Sequence, residues 1–268
     1  MTRMKKSGPQ KTAIITGTDL KRRNFLIVFF FCAITLSLVI WFLSGCRIRT
    51  VVVENALAVS EQSILDAADI KIGRHQYAID KSDIAARVKA VSPYIKSVTV
   101  ERHLPTELSL IIEEYEPLYY TEYNGTFWIL SDSLLVLEVF PDELSAKERA
   151  QTLLLLPEIK SCKLGAPLEF ADESDDKAAR ESLAVFQESL FPEPLSSLDL
   201  SEKFNITANM QDKYTLIYGD MQNLKEKIQF SLRTVRYLSE NMYGVTGTIY
   251  AAKLGMASFE ITGVLETE

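Results

Sequence analysis

Two residue types that build many catalytic and metal sites are scarce in this chain. Its 268 residues include two histidines and three cysteines. Cys32 and Cys46 lie within and beside a long apolar run, so only Cys162 lies well inside the segment that follows. One isolated cysteine there cannot form an intrachain disulfide. This excludes a disulfide-stapled module and leaves apolar packing as the source of stability.

Motifs of common enzyme classes are also lacking. The sequence contains no HExxH, CxxC, GxSxG or P-loop pattern. Ser174 and Lys177 have the spacing of an S-x-x-K motif, but they lie in an acidic segment without companion motifs. The carboxylates of Glu113, Glu114 and Glu116 are typical of a solvated strand end when no nucleophile accompanies them. We therefore predict no catalytic, cofactor-binding or metal-binding residue and no enzymatic activity.

Basic residues are in the minority after position 24. The formal net charge is −7, and the first 24 residues carry seven bases and one acid, so the remainder carries −13. That balance argues against nucleic acid, or an anionic lipid surface, as the main partner of the remainder. A hydrophobic content of 47% with few glycines and prolines indicates a globular region.

Charge, glycine and proline are all absent from Phe25–Leu43. As a helix this run would be about 28 Å long, close to the ~30 Å hydrocarbon core of a bilayer. The bases concentrate before the run, and the positive-inside rule then places the N-terminus in the cytoplasm. The sequence thus predicts a cytoplasmic tail (1–24), a transmembrane helix (25–44) and an extracytoplasmic remainder.

The residues at the end of the apolar run allow an alternative to a transmembrane anchor. Leu43-Ser44-Gly45-Cys46 has the form of a lipobox, in which Cys46 would be lipidated and everything before it removed. The apolar run is longer than the roughly 7–15 residues of a signal-peptide core. This length favours an uncleaved anchor, while the surface lipoprotein remains the second hypothesis.

Strand-like and helix-like segments alternate in residues 47–117. Ile48–Val53 is a β-branched run that predicts a strand, and Ser60 is a predicted N-cap of a helix. A second amphipathic helix carries Ile84, Val88 and Val91, and two alternating strands then meet in a turn at Pro105. The order β-α-α-β-β predicts two helices that cover one face of a three-stranded sheet.

Residues 118–265 read as a mixed α/β region. Asn124-Gly125 predicts a two-residue hairpin turn. Further predicted strands are 134–140, 198–200, 206–210, 214–218, 248–251 and 257–261. Two helices are predicted by apolar stripes, Ala179, Leu183, Phe186 and Leu190 in one, and Met221, Leu224, Ile228, Leu232 and Val235 in the other. The predicted fold class is therefore α+β, with one N-terminal transmembrane helix.

Short motifs at matching spacing make residues 47–117 resemble a POTRA domain of the FtsQ/DivIB family of bacterial cell-division proteins. They are Val53-Glu54-Asn55, Val98-Thr99-Val100-Glu101-Arg102, Leu104-Pro105-Thr106 and Ile112-Glu113-Glu114. Tyr218-Gly219, Glu226-Lys227-Ile228 and Gly247-Thr248-Ile249 similarly resemble the β-domain of that family. The family pattern has Gly where Asn55 stands, Arg where Tyr115 stands and Asp where Tyr250 stands. The resemblance implies a POTRA domain at 47–117 and a β-domain at 118–265.

The resemblance also implies a function. It implies a non-enzymatic, single-pass scaffold at the division septum that binds FtsL-type and DivIC/FtsB-type membrane proteins and helps control septal peptidoglycan synthesis. Septal peptidoglycan synthases are further candidate partners, and the POTRA domain would offer a second docking surface. No cofactor is implied.

The last predicted strand is the candidate binding site. Ala257–Ile261 alternates and lies near the C-terminus, so it is expected at a sheet edge, where an extended peptide can add. The resemblance implies that a DivIC/FtsB-type partner adds a strand there. The candidate residues are Tyr250, Ser258, Phe259, Glu260 and Ile261. The competing interpretation is an ordinary closing strand protected by the charged end Glu266–Glu268.

Two other protein classes remain as rivals. A cell-wall enzyme would need a nucleophile or a metal set that the sequence lacks. A POTRA protein of outer-membrane assembly would need alternating barrel segments after the POTRA region, and none follow.

Overall fold

A computed structural model describes residues 17–211, 213–242, 244–253 and 255–264. The tail bases Arg3, Lys5, Lys6 and Lys11 and the charged end Glu266–Glu268 lie outside these ranges. The chain divides into two compact units. The first comprises the described part of 1–52 with 70–80 and 101–109, and the second comprises 53–69, 81–100 and the described part of 110–268.

The first unit begins with a long helix, α1, at Gly17–Gly45. Within it, Asn24–Phe42 has a mean hydropathy of 2.7 over 19 residues and none of its side chains is buried inside the protein. This stretch is long and apolar enough to cross a membrane. The predicted apolar helix is therefore confirmed as a helix. It extends beyond 25–44 at both ends because no proline interrupts it.

Residues 46–48 continue from α1 without a linker and pair with residues 73–76 of the same unit. The N–H of Gln76 donates to the carbonyl of Cys46 at 2.9 Å, and the N–H of Ile48 donates to that of Arg74 at 2.9 Å. The N–H of Gly73 in turn donates to the carbonyl of Ile48 at 2.8 Å. Both Cys46 and Ile48 are buried. These bonds hold the exit of the helix directly against the folded chain.

The elements that follow α1 have the predicted order. They are β1 (Thr50–Glu54), α2 (Glu61–Ala68), a 3-10 turn (Gln76–Ala78), α3 (Lys81–Lys89), β2 (Ile95–His103) and β3 (Glu107–Glu114). The three strands form a sheet in the order β1-β3-β2. The predicted β-α-α-β-β pattern is confirmed.

Local hydrogen bonds explain the ends of α2. The side chain of Ser60 accepts from the N–H of Ser63 at 3.2 Å, which confirms the predicted N-cap. At the other end, the guanidinium of Arg87 in α3 donates to the carbonyls of Ala67 and Ala68, at 3.2 and 2.7 Å. Those carbonyls have no partner inside the helix, so Arg87 both satisfies them and joins the two helices.

One predicted member of the α3 stripe is misplaced. Ile84 and Val88 are buried as predicted. Val91 lies beyond the end of α3 at Lys89 and is 36% exposed. The helix stops before Pro93 because the ring of a proline disfavours helical backbone in the residue before it.

The second unit contains one large sheet. Its strands are β4 (Tyr119–Tyr123), β5 (Thr126–Leu130), β6 (Val136–Phe140), β7 (Thr152–Leu155), β10 (Leu195–Asp199), β11 (Ile206–Met210), β12 (Tyr214–Gly219), β13 (Val245–Tyr250) and β14 (Ser258–Val264). A separate pair consists of β8 (Ile159–Ser161) and β9 (Glu169–Phe170). The nine-stranded sheet has the order β14-β13-β12-β11-β10-β7-β4-β5-β6. The pairs β4–β7, β7–β10 and β12–β13 are parallel.

In its described part this unit contains, besides α2 and α3, the helices α4 (Glu143–Arg149), α5 (Glu173–Gln187) and α6 (Leu224–Asn241). The described structure therefore confirms the predicted α+β class. Asn124 and Gly125 have φ of 54° and 73°, as the predicted hairpin turn between β4 and β5 requires. Helix α4 was missed, although the carboxylate of Asp142 accepts from the N–H of Ser145 in a standard N-cap.

Two boundaries in this unit differ from the prediction. Leu134 has φ of 61°, in the left-handed region, so β6 begins only at Val136. Leu190 is 92% exposed and lies beyond α5, because the helix ends at Gln187 ahead of Pro192. Leu190 has the spacing of the apolar stripe of α5, but it is not part of the stripe because the helix ends before it.

The stripe of α6 forms part of the main core. Leu224, Ile228 and Val235 are buried among Leu216 and Ile249 of the sheet, while Met221 precedes the helix. The core also holds the ring of Tyr218, whose hydroxyl lies 2.9 Å from that of Ser231. Burial raises the pKa of Tyr218 well above its ordinary value. The helix stripe is therefore a packing surface.

Candidate partner-binding edge

The strand β14 lies at one end of the nine-stranded sheet. It pairs antiparallel with β13 and has no other strand neighbour among the described residues. Thr248 lies opposite Glu260, Ile249 opposite Phe259 and Tyr250 opposite Ser258. The five predicted site residues therefore lie together on these two strands.

The backbone of β14 has one paired side and one open side. On the side of β12, the N–H of Gly247 in β13 donates to the carbonyl of Lys213, just before β12, at 3.0 Å, and the N–H of Ala251, just after β13, donates to that of Ile217 at 2.8 Å. Backbone groups alternate in direction along a strand, so Thr248 and Tyr250 point toward β14.

The register between β13 and β14 shows which residues of β14 point toward β13. Ser258 and Glu260 lie opposite Tyr250 and Thr248, so they direct their N–H and C=O groups at β13. Phe259 and Ile261 direct theirs away from the sheet. An added strand would therefore bond to the backbone of these two residues.

The side chain of Phe259 is a packing residue rather than a free contact. Its ring is half-buried against the core and lies edge-on to the ring of Tyr214, with 6.3 Å between centroids. It also covers Gly247, where an added Cβ would lie 2.6 Å from the Phe259 Cε2 atom. Gly247 thus leaves the space that the ring fills. Sequence reasoning matched Gly247 to a motif but missed this contact.

The opposite face of the edge is polar and exposed. The hydroxyl of Tyr250 donates to the carboxylate of Glu260 at 3.0 Å. This hydrogen bond raises the pKa of Tyr250 above its ordinary value. Ser258 and Glu260 are exposed on this face, whereas Ile261 is 54% exposed on the face that carries Phe259. An added strand would therefore meet an apolar side chain on one face and a carboxylate on the other.

Other groups singled out in the sequence are placed elsewhere. Lys177 forms an ion pair with Glu181 at 3.8 Å, while the hydroxyl of Ser174 accepts from Lys203 at 3.2 Å, so the S-x-x-K pair is not brought together. Within the described ranges, no three His, Cys, Asp or Glu residues cluster to hold a metal ion.

One carboxylate of the predicted acidic cluster organises a loop. Glu114 accepts from the N–H groups of Leu57, Ala58 and Val59, at 3.1, 2.7 and 3.2 Å. The predicted solvated strand end is therefore wrong for this residue. Consecutive backbone N–H groups form a concave anion site that only tertiary folding brings to Glu114.

This chain is similar to known cell division proteins. The family model "POTRA domain, FtsQ-type" matches residues 46–115. The cell division protein DivIB of Clostridium botulinum (strain Hall) is 24% identical over 164 residues, which are 60% of this chain and 61% of that protein. The cell division protein FtsQ of Corynebacterium glutamicum is 20% identical over 197 residues, covering 72% of this chain and 80% of that protein.

A solved structure is also similar. It is the major extracytoplasmic domain of the trans isomer of the cell division protein DivIB from Geobacillus stearothermophilus, at 16% identity and a TM-score of 0.27. The match covers 48% of this chain and 98% of that one.

The fold and the edge define a class of protein, in which a POTRA domain is followed by a β-rich domain that ends in an edge strand. The predicted resemblance to the FtsQ/DivIB family is confirmed by the family model and the curated relatives. The chain spans 61% of the length of the Clostridium relative.

Proposed function

We propose that this chain is a non-enzymatic, membrane-anchored scaffold of bacterial cell division. The open backbone edge of β14 is the observation that carries this proposal, because it offers a site for a strand from another protein. The relatives that bear the name cell division protein support the cellular role. In this proposal the chain lies at the septum with its N-terminus in the cytoplasm, and its outer part helps control septal peptidoglycan synthesis.

The proposed partners are DivIC/FtsB-type and FtsL-type membrane proteins, with septal peptidoglycan synthases as further candidates. A DivIC/FtsB-type tail would add as a strand to β14, bonded to the backbone of Phe259 and Ile261. Its side chains beside Ile261 would be apolar, and those beside Glu260 polar or basic, since the two faces of the edge differ in this way. Anchoring both proteins in one membrane raises their effective concentration, so a modest interface suffices.

The membrane helix, rather than a lipid on Cys46, is the proposed anchor. Cys46 is 4% exposed, and its backbone is bonded to Phe42 and Gln76. Lipidation would require cleavage before Cys46, which would remove α1 and with it the bond to Phe42. Mass spectrometry of the chain isolated from membranes tests the choice. We expect residues 1–45 to be retained, and a mature N-terminus at a lipidated Cys46 would overturn the anchor.

A backbone substitution tests the edge. Ile261→Pro removes an N–H that points away from β13, and prolines are tolerated at sheet edges, so we expect the domain to stay folded. We expect it to bind the outer tail of the DivIC/FtsB-type protein of the same organism about tenfold more weakly. Each lost hydrogen bond contributes about 0.5–1.5 kcal/mol, and the proline ring also obstructs the added strand.

Ile261→Ala is the matched control, since it keeps the N–H and removes most of the side chain. Binding of the same tail peptide is measured for the full-length protein in neutral detergent micelles. We expect the alanine variant to bind within a few-fold of wild type. Equal loss in both variants would assign the contact to the side chain and contradict strand addition.

A further inference from the structure

Basic residues gather where the first unit leaves the apolar helix. Segments 46–52 and 70–80 of this unit contain four basic residues, Arg47, Arg49, Lys71 and Arg74, and one acidic residue, Asp80. Everything after position 24 carries a net charge of −13, so this concentration runs against the rest of the chain. The neighbouring hairpin of the same unit adds Arg102 between two acids, Glu101 and Glu107.

Aromatic rings accompany these bases. The ring of Tyr77 lies 5.5 Å from that of Phe42, in the last turns of α1, and 5.8 Å from that of His75. The guanidinium of Arg102 stacks over the Tyr77 ring at 5.1 Å and donates to the carbonyl of Gln76 at 2.9 Å. Tyr77 is nevertheless 51% exposed. The ring is thus held in position while one side stays open.

The hydrogen bonds at the helix exit fix the height of these groups. Cys46 lies four residues beyond Phe42, which ends the apolar span, so it lies about 6 Å above the hydrocarbon boundary. The headgroup layer extends about 5–8 Å above that boundary. Gln76 bonds to Cys46, and Arg74 bonds to Ile48 one step higher. Tyr77 is therefore level with the headgroups, and the side chains of Arg47 and Arg74 are within reach of them.

We infer that this collar, formed by Phe42, Tyr77, Arg47 and Arg74, binds the headgroups of anionic phospholipids in the outer leaflet. Tyrosine is suited to the membrane interface because its ring is apolar and its hydroxyl is wet. Arginine binds phosphate through a planar fork of N–H donors. The contact would hold the first unit in a fixed orientation on the membrane, because residues 46–48 leave no flexible linker.

The test uses the full-length chain in nanodiscs of equal parts phosphatidylglycerol and phosphatidylcholine. The exposed Ala78, next to Tyr77, is replaced by photoreactive benzoylphenylalanine, and mass spectrometry identifies the lipids that become crosslinked. A probe at this position reports only the lipid next to the collar, so the basic N-terminal tail does not contribute. We expect phosphatidylglycerol adducts well above its share of the lipid.

The double variant Arg47→Gln, Arg74→Gln is expected to show an enrichment of phosphatidylglycerol adducts about thirty-fold lower. Each base near an anionic surface contributes about 1 kcal/mol, and the variant removes two. Arg233→Gln with Arg236→Gln, on α6, makes the same change in charge and is expected to preserve it. Adducts in proportion to lipid content, an unchanged preference in the Arg47/Arg74 variant, or no lipid adduct would each overturn the inference.

The inference rests on the membrane anchoring in the proposed function. A chain that fails to enter nanodiscs would contradict both. Entry with unselective crosslinking would contradict the lipid contact alone, since binding of the partner tail at β14 is measured separately.

Discussion

The amino group of Lys227 is buried and depends on one aspartate. Lys227 is 3% exposed, and its Nζ lies 2.6 Å from the Asp220 Oδ1 atom and 2.9 Å from the Asp220 carbonyl oxygen. The Asp220 side chain, by contrast, is 42% exposed. The hydrogen bond from Lys227 lowers the pKa of Asp220 below its ordinary value. The two partners therefore differ in what each would lose if the other were removed.

Removing the aspartate should cost far more than removing the lysine. Asp220→Ala leaves a buried ammonium with only a carbonyl partner, and breaking buried pairs in this way costs about 3–5 kcal/mol. Because the carbonyl bond remains, we expect the lower end, about 3 kcal/mol. Lys227→Met fills the same space with an apolar chain and leaves a carboxylate that water can reach, so we expect a cost within about 1 kcal/mol.

Thermal unfolding of the full-length chain in neutral detergent micelles measures the difference. A cost of 3 kcal/mol should lower the Tm by about 6–12 °C in a region of this size. The effect should also depend on pH. The folded pKa of Asp220 is lowered, so its contribution is present above the ordinary carboxyl pKa of about 4 and is lost as the pH falls through the folded value.

The penalty of Asp220→Ala should therefore shrink in acid. Equal Tm losses for the two variants at neutral pH would refute the reasoning. They would mean that the lysine reaches water once the aspartate is gone.

Three further changes probe the edge and the loop. Gly247→Ala makes a Cβ clash with the Glu260 carbonyl oxygen, which should cost about 1–3 kcal/mol and speed amide exchange along β14; unchanged exchange would contradict the close contact. Glu114→Ala should cost about 1 kcal/mol and expose residues 57–59 to proteolysis, because three N–H groups lose their acceptor; an unchanged cleavage rate would argue against the pinned loop. Glu260→Gln should bring the pKa of Tyr250 back toward its ordinary value of 10.0, as ultraviolet titration measures; an unshifted titration would show that the carboxylate is not the cause.

Local signals in the sequence were sufficient for much of the fold. The apolar helix, the Ser60 cap and the Asn124-Gly125 turn depend on residues within a few positions of one another. Such features need no distant partner, so their predictions were confirmed. The prediction for Leu190 was wrong because the length of α5 depends on where the helix ends, and apolar spacing does not encode that.

The candidate site could be predicted only in part from the sequence. The alternating apolar pattern of Ala257–Ile261 and its position near the C-terminus indicated that the last strand lies at a sheet edge. Which of its residues face outward depends on its register with β13, including an irregularity between Thr246 and Gly247. The register placed the Phe259 ring on Gly247 and turned the backbone of Ile261 outward.

Patterns that run along the chain were enough to predict the apolar helix, the β-α-α-β-β order and the family resemblance. Tertiary folding, by contrast, determines which backbone groups of β14 stay open, brings Glu114 to its loop and sets Tyr77 beside Phe42. These arrangements join residues far apart in the chain, and their geometry depends on strand register and packing.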